Sequence, residues 1–238
     1  MSKLALDLRT APPSLRAGLA AVKEAFPARF GKTGYRVTFS PSTSLRTGGL
    51  AISRTPGRAA VIYGRPVDAF RALGIIMGED AAGRKRPLRQ TPKMDTLGLM
   101  IDASRNGVCT PATVRDLLVR AALMGINVCM MYCEDTYEVP GQPFFGYLRG
   151  GYTIKEMKAL DDFAFGLGIE MFPCIQALAH LEQILQWPVY REYRDNDYIL
   201  LAEDPKTYAL VEKMIKAASA PFRSKRIHLG MDEAHGLG

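Results

Sequence analysis

Two adjacent carboxylates, Asp232 and Glu233, follow a short apolar run of the chain, residues 227–231. Carboxyl groups at the mouth of a buried strand suit general acid and base catalysis, because burial and a neighbouring like charge both raise a carboxyl pKa. Consecutive residues of a strand point in opposite directions, so the two side chains can serve one site only where the backbone turns. The pair predicts acid/base chemistry at a strand end.

Polar side chains also follow three earlier apolar runs, residues 97–101, 126–132 and 169–175. In chain order they are Asp102, Ser104, Arg105, Glu134, Asp135, Gln176 and His180. In a βα barrel the active site is lined by residues just beyond the C-terminal ends of the strands. The pattern therefore predicts that five carboxylates, an arginine and a histidine meet on one rim. Structural ion pairs remain the alternative for one or two of these positions.

The apolar runs alternate with segments of helical periodicity, and this alternation indicates an α/β fold. Continuous rather than alternating apolar residues are typical of parallel strands buried on both faces. Helix starts and ends are predicted by capping residues and helix breakers. These signals are Thr110-Pro111, Thr153 with Glu156, Gly168 and Asp204-Pro205. The predicted helices cover residues 114–124, 154–167, 177–185 and 208–218, and a fourth strand covers residues 227–230.

Four βα steps are the first half of a (β/α)8 TIM barrel. A closed barrel takes about 250 residues, and only 145 follow residue 93. We therefore expect a truncated barrel over residues 94–238. A doubly wound open sheet fits the same length, but no Gly-x-Gly-x-x-Gly follows any strand, which disfavours a dinucleotide-binding fold.

The pattern of residues 1–93 predicts a small α+β domain, and this part of the chain is basic whereas residues 94–238 are acidic. They carry 17 Lys and Arg against 5 Asp and Glu, whereas residues 94–238 carry 14 against 19. Helical spacing covers residues 15–26 and 67–77, and short strands are predicted over residues 35–39, 50–53 and 59–63. The Gly- and Pro-containing stretch of residues 78–92 is predicted to be a linker or an exposed connection.

Composition and motif content argue against several classes of function. No apolar stretch is long enough to span a bilayer, and the first ten residues lack the apolar core of a signal peptide, so we expect a cytoplasmic protein without a membrane partner. The basic residues are mostly scattered singly, which argues against nucleic-acid binding. Three histidines are too few for a metal site, and no cofactor is predicted. The four cysteines are expected to be free thiols, mostly buried.

Four ordered segments resemble glycoside hydrolase family 20, the β-N-acetylhexosaminidases. Residues 228–233 are similar to the His-x-Gly-Gly-Asp-Glu signature, and residues 99–105, 132–135 and 173–180 are similar to the first three barrel strands of the family. The closest match is the subgroup of intracellular exo-β-N-acetylglucosaminidases, on residues 134–138, 144–150 and 228–235. The resemblance covers residues 97–238, whereas residues 1–93 resemble the family's small first domain only in placement.

The resemblance implies hydrolysis of terminal non-reducing N-acetyl-β-D-glucosamine with retention, assisted by the acetamido group of the substrate. It implies that Glu233 is the general acid and then the general base, and that Asp232 orients the acetamido group. His180 would form a relay to Glu233 with an acid of the second strand, Glu134 or Asp135.

Under the same resemblance Arg105 or Asp102 holds sugar hydroxyls, and no metal takes part. The partner is an oligosaccharide or glycoconjugate that contains N-acetylglucosamine. The chain is expected to be an inactive N-terminal fragment that self-associates through exposed strand edges. Two alternatives stay open: another retaining glycosidase with its acid and nucleophile on separate strands, and a non-catalytic carbohydrate-binding or interaction module.

Overall fold

The protein has a mixed α/β fold in a computed structural model that describes residues 3–45, 48–79, 86–105 and 107–238. The chain divides into two compact units. The first consists of residues 1–99, 113–128 and 162–169, and the second of residues 100–112, 129–161 and 170–238. Each unit therefore draws on segments that are distant in the sequence.

A five-stranded sheet forms most of the first unit. Its strands are β1 (Leu4–Ala5), β2 (Tyr35–Pro41), β3 (Leu50–Thr55), β4 (Arg58–Tyr63) and β5 (Leu88–Gln90), in the order β1-β2-β4-β3-β5. β2 is parallel to β1 and β4, whereas β3 is antiparallel to β4 and β5. The predicted strands at 35–39, 50–53 and 59–63 are present. β5 lies within the predicted linker, where its backbone pairs with the outer edge of β3.

Two helices accompany this sheet, α1 (Pro13–Ala25) and α2 (Pro66–Gly78), and both were predicted. Their buried side chains recur at helical spacing and include Leu15, Leu19, Phe70 and Leu73. A side chain on Gly18 of α1 would come within 2.4 Å of the Phe70 ring, so close packing requires glycine there. Helical periodicity thus predicted the core of this unit correctly.

The second sheet holds the strands that lead to the predicted site. It contains β6 (Gly98–Asp102), β7 (Val128–Cys133) and β8 (Glu170–Ile175) in that order. The helices of this half of the chain are α3 (Pro111–Met124), α4 (Ile154–Gly166), α5 (Glu182–Leu185) and α6 (Pro205–Ser219). Two of the predicted N-terminal caps are present: the Asp204 side chain accepts a hydrogen bond from the Lys206 amide, and Thr153 and Glu156 bond reciprocally.

Two elements of the second half of the chain were predicted too long, the strand over residues 227–230 and the helix over residues 177–185. Residues 227–230 form one parallel bridge, Cys174 to His228, rather than a strand, since among the described residues no strand pairs with their other edge. The helix predicted over residues 177–185 is reduced to α5. The residues before it pair instead with other loops: the Leu181 amide donates to Tyr198, and the Leu178 carbonyl accepts from Leu200.

Within the described ranges, no helix combines the length and apolarity needed to cross a membrane. The four cysteines are free, and three of them, Cys129, Cys133 and Cys174, are buried. Burial raises the pKa of Cys129 and of Cys133 to about 12. These thiols therefore remain protonated at neutral pH and are not nucleophiles.

Candidate active site

A left-handed backbone turn brings the two adjacent carboxylates to one imidazole. Glu233 and His180 both have φ 55°, a conformation that non-glycine residues rarely adopt. Nε2 of His180 lies 3.2 Å from Oε2 of Glu233 and 3.7 Å from Oδ2 of Asp232. The turn at Glu233 thus removes the opposite orientation that an extended strand would impose. Unusual backbone conformations of this kind cluster at functional sites.

The two carboxylates of this turn are solvent-exposed in the chain. The side chain of Asp232 is 58% exposed and that of Glu233 is 65% exposed, whereas His180 is mostly covered. Nε2 of Gln176 donates to Oδ1 of Asp232 at 3.2 Å. This hydrogen bond is the main reason that the pKa of Asp232 is lowered, so Asp232 is an anion at neutral pH.

A second group of polar side chains lies at the ends of β6 and β7. Arg105 donates to Asp102 at 3.0 Å and lies 3.5 Å from Oε1 of Glu134. Its guanidinium also stands over the Tyr132 ring, 5.3 Å from the centroid. The Glu134 amide donates to the Ser104 hydroxyl at 2.7 Å. The structure therefore brings Arg105, Asp102 and Glu134 together.

Glu134 is joined to Asp232 by two intervening side chains. The Tyr132 hydroxyl donates to Oε1 of Glu134 at 2.9 Å, and Nε2 of Gln176 donates to the Tyr132 oxygen at 3.0 Å. Burial raises the pKa of Glu134 and raises that of Tyr132 to about 12. Tyr132 therefore keeps its proton and acts as a hydrogen-bond donor at neutral pH.

Asp135 points away from this group and is 1% exposed. Nε of Arg149 lies 3.3 Å from its carboxylate, and Nη2 of Arg149 donates to the Ser104 carbonyl. Burial raises the pKa of Asp135 to about 6, although Arg149 opposes the shift. This carboxylate thus ties the loop that carries Arg149 to the end of β7.

The predicted relay from His180 to the second strand does not form directly. Among the described side chains His180 pairs with Glu233 and Asp232, and it makes no hydrogen bond or ion pair with Glu134 or Asp135. The reason is that Glu134 faces Tyr132 and Arg105, while Asp135 is turned into the interior. The roles of all seven predicted residues stay predictions.

Sequence reasoning assigned no role to Tyr132 or Arg149. Both lie within segments that carry the family resemblance, residues 132–135 and 144–150, but nothing in the residue types indicates which carboxylate each would contact. Gln176 was placed at the rim without a partner. These three residues hold Glu134, Asp135 and Asp232, so they complete the site.

His180, Asp232 and Glu233 also form a group that is geometrically able to bind a metal. Their ligand atoms lie within 4.8 Å of one another. One imidazole and two carboxylates are equally the groups of an acid/base site, and one of the carboxylates is already held by Gln176. The arrangement fits proton transfer and charge stabilisation as well as it fits a cation.

The buried Asp135 predicts a pH dependence of stability. Burial raises its folded pKa from the ordinary 3.8 to about 6, so the protonated form stabilises the fold below about pH 4, and this contribution is lost as the pH rises through 6. Two pKa units correspond to about 3 kcal/mol as an upper limit. We expect Asp135→Asn to remove this decline, measured by denaturant unfolding at pH 4, 5.5 and 7.

The exposed Asp197, whose side chain is 93% exposed, provides the control. Asp197→Asn should leave the pH profile of unfolding parallel to that of the unmodified protein. A parallel profile for Asp135→Asn as well would show that the buried carboxyl does not titrate in this range.

Known proteins resemble the chain chiefly in fold. No family model matches it. A β-hexosaminidase of Emericella nidulans is 24% identical over 172 residues, which cover 61% of this chain and 28% of that protein. A β-N-acetylhexosaminidase structure from Bacteroides fragilis has a TM-score of 0.77 at 18% identity. The match covers 100% of this chain and 54% of the Bacteroides fragilis chain.

Two further solved structures agree. The family 20 exo-β-N-acetylglucosaminidase of Vibrio harveyi has a TM-score of 0.75 at 16% identity, covering 97% of this chain and 43% of that chain. The N-acetyl-β-hexosaminidase of Streptomyces plicatus has a TM-score of 0.78 at 16% identity, covering 98% and 55%. The predicted resemblance is confirmed: the chain has the fold of glycoside hydrolase family 20 β-N-acetylhexosaminidases and spans about half the length of those structures.

Proposed function

We propose that this chain carries the acid/base half of a β-N-acetylhexosaminidase, which removes terminal non-reducing N-acetyl-β-D-glucosamine from an oligosaccharide or glycoconjugate. The observation that carries the proposal is the contact of Asp232 and Glu233 with His180 at 3.7 Å and 3.2 Å. The likeness in fold to family 20 enzymes supports it. In this proposal residues 94–238 form the first half of a (β/α)8 barrel, and residues 1–93 form a small domain before it.

Each side chain of the turn has a distinct role in the proposed reaction. Glu233 protonates the oxygen of the leaving group and then removes a proton from the water that attacks the anomeric carbon. Asp232 stays ionised and accepts a hydrogen bond from the acetamido N–H, so that the acetamido oxygen can attack the anomeric carbon. The same anion stabilises the positive charge that develops on the resulting oxazolinium ring.

His180 and the residues around Arg105 assist these two acids. The imidazole at 3.2 Å from Glu233 can donate to the carboxylate or accept from the acid, so it adjusts the protonation of Glu233 between the two steps. Arg105 and Asp102 offer a donor and an acceptor for sugar hydroxyls. Arg105 is half-exposed, so it is accessible to a ligand while it is paired with Asp102.

The requirement for the acetamido group tests the reaction type. A polypeptide that carries this chain and extends to the length of its structural relatives should release nitrophenol from 4-nitrophenyl N-acetyl-β-D-glucosaminide. We expect a rate lower by about a thousandfold with 4-nitrophenyl β-D-glucoside, because that sugar lacks the internal nucleophile that is already positioned for attack. Equal rates would favour the other proposal, a retaining glycosidase with a protein nucleophile, and no turnover of either would favour a binding module.

The 238-residue chain itself is expected to hydrolyse neither substrate at a detectable rate. Catalytic carboxylates act strongly only where water is excluded, and both acids of the turn are more than half exposed. An assay of the purified chain at millimolar substrate tests this. Turnover that Glu233→Gln abolishes would contradict the expectation.

A further inference from the structure

We infer that Gln176 is a positioning residue for Asp232, and that Glu134 acts on Asp232 through Tyr132 and Gln176. The inference rests on the proposed function for its catalytic meaning. The structural basis is a row of hydrogen bonds, all donated in a fixed direction, at the ends of β7 and β8. Its members are Glu134, Tyr132, Gln176 and Asp232.

The direction of the row follows from counting hydrogens. A phenol has one hydrogen, and a carboxylate has none. Because Glu134 is the acceptor at 2.9 Å, the Tyr132 hydrogen points to it, and the Tyr132 oxygen is free to accept from Gln176 at 3.0 Å. The second amide hydrogen of Gln176 then points to Oδ1 of Asp232 at 3.2 Å.

This direction fixes which end of the Gln176 amide faces the catalytic turn. A rotated amide would place its oxygen against the Asp232 carboxylate and against a Tyr132 oxygen that has no hydrogen left to give. Gln176 is 1% exposed, so water cannot readily compensate for that repulsion. Glu134 accepts the Tyr132 hydrogen, and through Tyr132 it therefore determines the orientation of the Gln176 amide.

The backbone at residue 230 makes room for the row. Gly230 has φ 54°, and a side chain there would lie 2.3 Å from the Ile175 carbonyl oxygen and 2.6 Å from Oε1 of Gln176. The amide of residue 177 donates to the carbonyl of Gly230 at 3.1 Å. Glycine at this position therefore lets the turn approach the amide closely enough to bond with Asp232.

The consequence is that both oxygens of Asp232 have assigned neighbours. Oδ1 accepts from Gln176, and Oδ2 lies 3.7 Å from the His180 imidazole. The hydrogen bond from Gln176 restrains one oxygen of the carboxylate, and the imidazole lies beside the other. Such preorganisation is what the proposed reaction requires of the anion that orients the acetamido group. The amide is uncharged, so it holds Asp232 without adding the repulsion that an acidic side chain would bring.

The test is nuclear magnetic resonance of the 238-residue protein, with 15N detection of the Gln176 side-chain amide and 13C detection of the Asp232 carboxyl. Tyr132→Phe removes the central hydroxyl. We expect about tenfold faster exchange of the Gln176 amide hydrogens, as expected for the loss of one buried hydrogen bond. We also expect the Asp232 carboxyl to titrate at a higher pH than in the unmodified protein.

A second variant tests the far end of the row and leaves Tyr132 unchanged. Glu134→Gln replaces the obligatory acceptor by an amide that can also donate, so the row loses its fixed direction. The same two changes, faster exchange at Gln176 and a higher titration midpoint for Asp232, are expected. His180 and His228 also face Asp232, so the comparison is made between variants that retain both histidines.

The matched control is another buried tyrosine that bonds to a glutamine, Tyr190, whose hydroxyl donates to Gln142 at 3.0 Å. Tyr190→Phe should leave the Gln176 and Asp232 signals unchanged. The inference is overturned if Tyr132→Phe and Glu134→Gln, both folded, leave these signals as they are in the Tyr190→Phe protein. No step needs turnover, so the result is independent of whether the proposed hydrolysis is correct.

Discussion

Replacing Glu233 by glutamine in an active polypeptide that carries this chain should lower kcat/KM for 4-nitrophenyl N-acetyl-β-D-glucosaminide by about 10²- to 10⁴-fold. This range is the usual contribution of a positioned general acid and base. Glutamine keeps the size of the side chain and its contact with His180 but has no proton to transfer. The loss should therefore appear in kcat, with KM changed little.

The leaving group provides a sharper version of the same test. A phenol with a low pKa departs without protonation, so the first step should be affected least for the most acidic phenols. We expect the ratio of unmodified to variant rates to rise steadily as the leaving-group pKa rises. A ratio that is the same for all phenols would place the function of Glu233 elsewhere.

A matched control for this substitution lies in the same unit. Glu203 is also an exposed glutamate with a left-handed backbone, at φ 62°, but it contacts no imidazole among the described residues. Glu203→Gln should keep full activity. An unchanged rate in Glu233→Gln, or an equal loss in both variants, would remove Glu233 from the proposed mechanism.

Replacing Arg149 by leucine should destabilise the 238-residue protein by about 3–5 kcal/mol at pH 7. Removing one partner of a buried ion pair leaves the other charge without compensation, and Asp135 is 1% exposed. Arg149 also donates to the Ser104 carbonyl, so the substitution removes a second contact at the end of β7. Denaturant unfolding measures the change.

Two comparisons identify the cause of that loss. The double variant Arg149→Leu, Asp135→Asn should recover much of the stability, because the uncompensated charge is gone. The loss should also be smaller at pH 5, where more of the Asp135 carboxyl is protonated. Arg194→Leu, which removes an exposed pair with Asp197, should cost less than about 1 kcal/mol. If Arg149→Leu costs no more than this control, the pair does not hold the loop.

The periodicity of the sequence predicted most elements of both sheets. Apolar runs and helical spacing predicted α1, α2, β2, β3 and β4. They also predicted the alternating strands and helices β6, α3, β7 and α4, and capping residues predicted where helices begin. These features depend on residues close in sequence, whose preferences act locally. The edge strand β5 and the shortened α5 were not predicted, because both depend on hydrogen bonds to segments distant in the chain.

The candidate site divides in the same way. Residue types and order were sufficient to single out Asp232, Glu233, His180 and the acids after β7, and to relate them to one family of enzymes. Sequence could not decide which of Glu134 and Asp135 faces the site. Alternation along a strand says only that the two side chains point in opposite directions. The direction of each depends on its partner, which is Arg149 for Asp135 and Tyr132 for Glu134.

The sequence by itself determined the chemical groups, their order along the chain and the three strands β6, β7 and β8. Only the tertiary structure decided that the adjacent acids share one imidazole, since this depends on the backbone turn at φ 55° of Glu233. It also decided that Gln176 joins Tyr132 and Asp232, from which it is separated by 44 and 56 residues. Hydrogen-bond partners are fixed by distance and direction in space, and neither is encoded in local residue preferences.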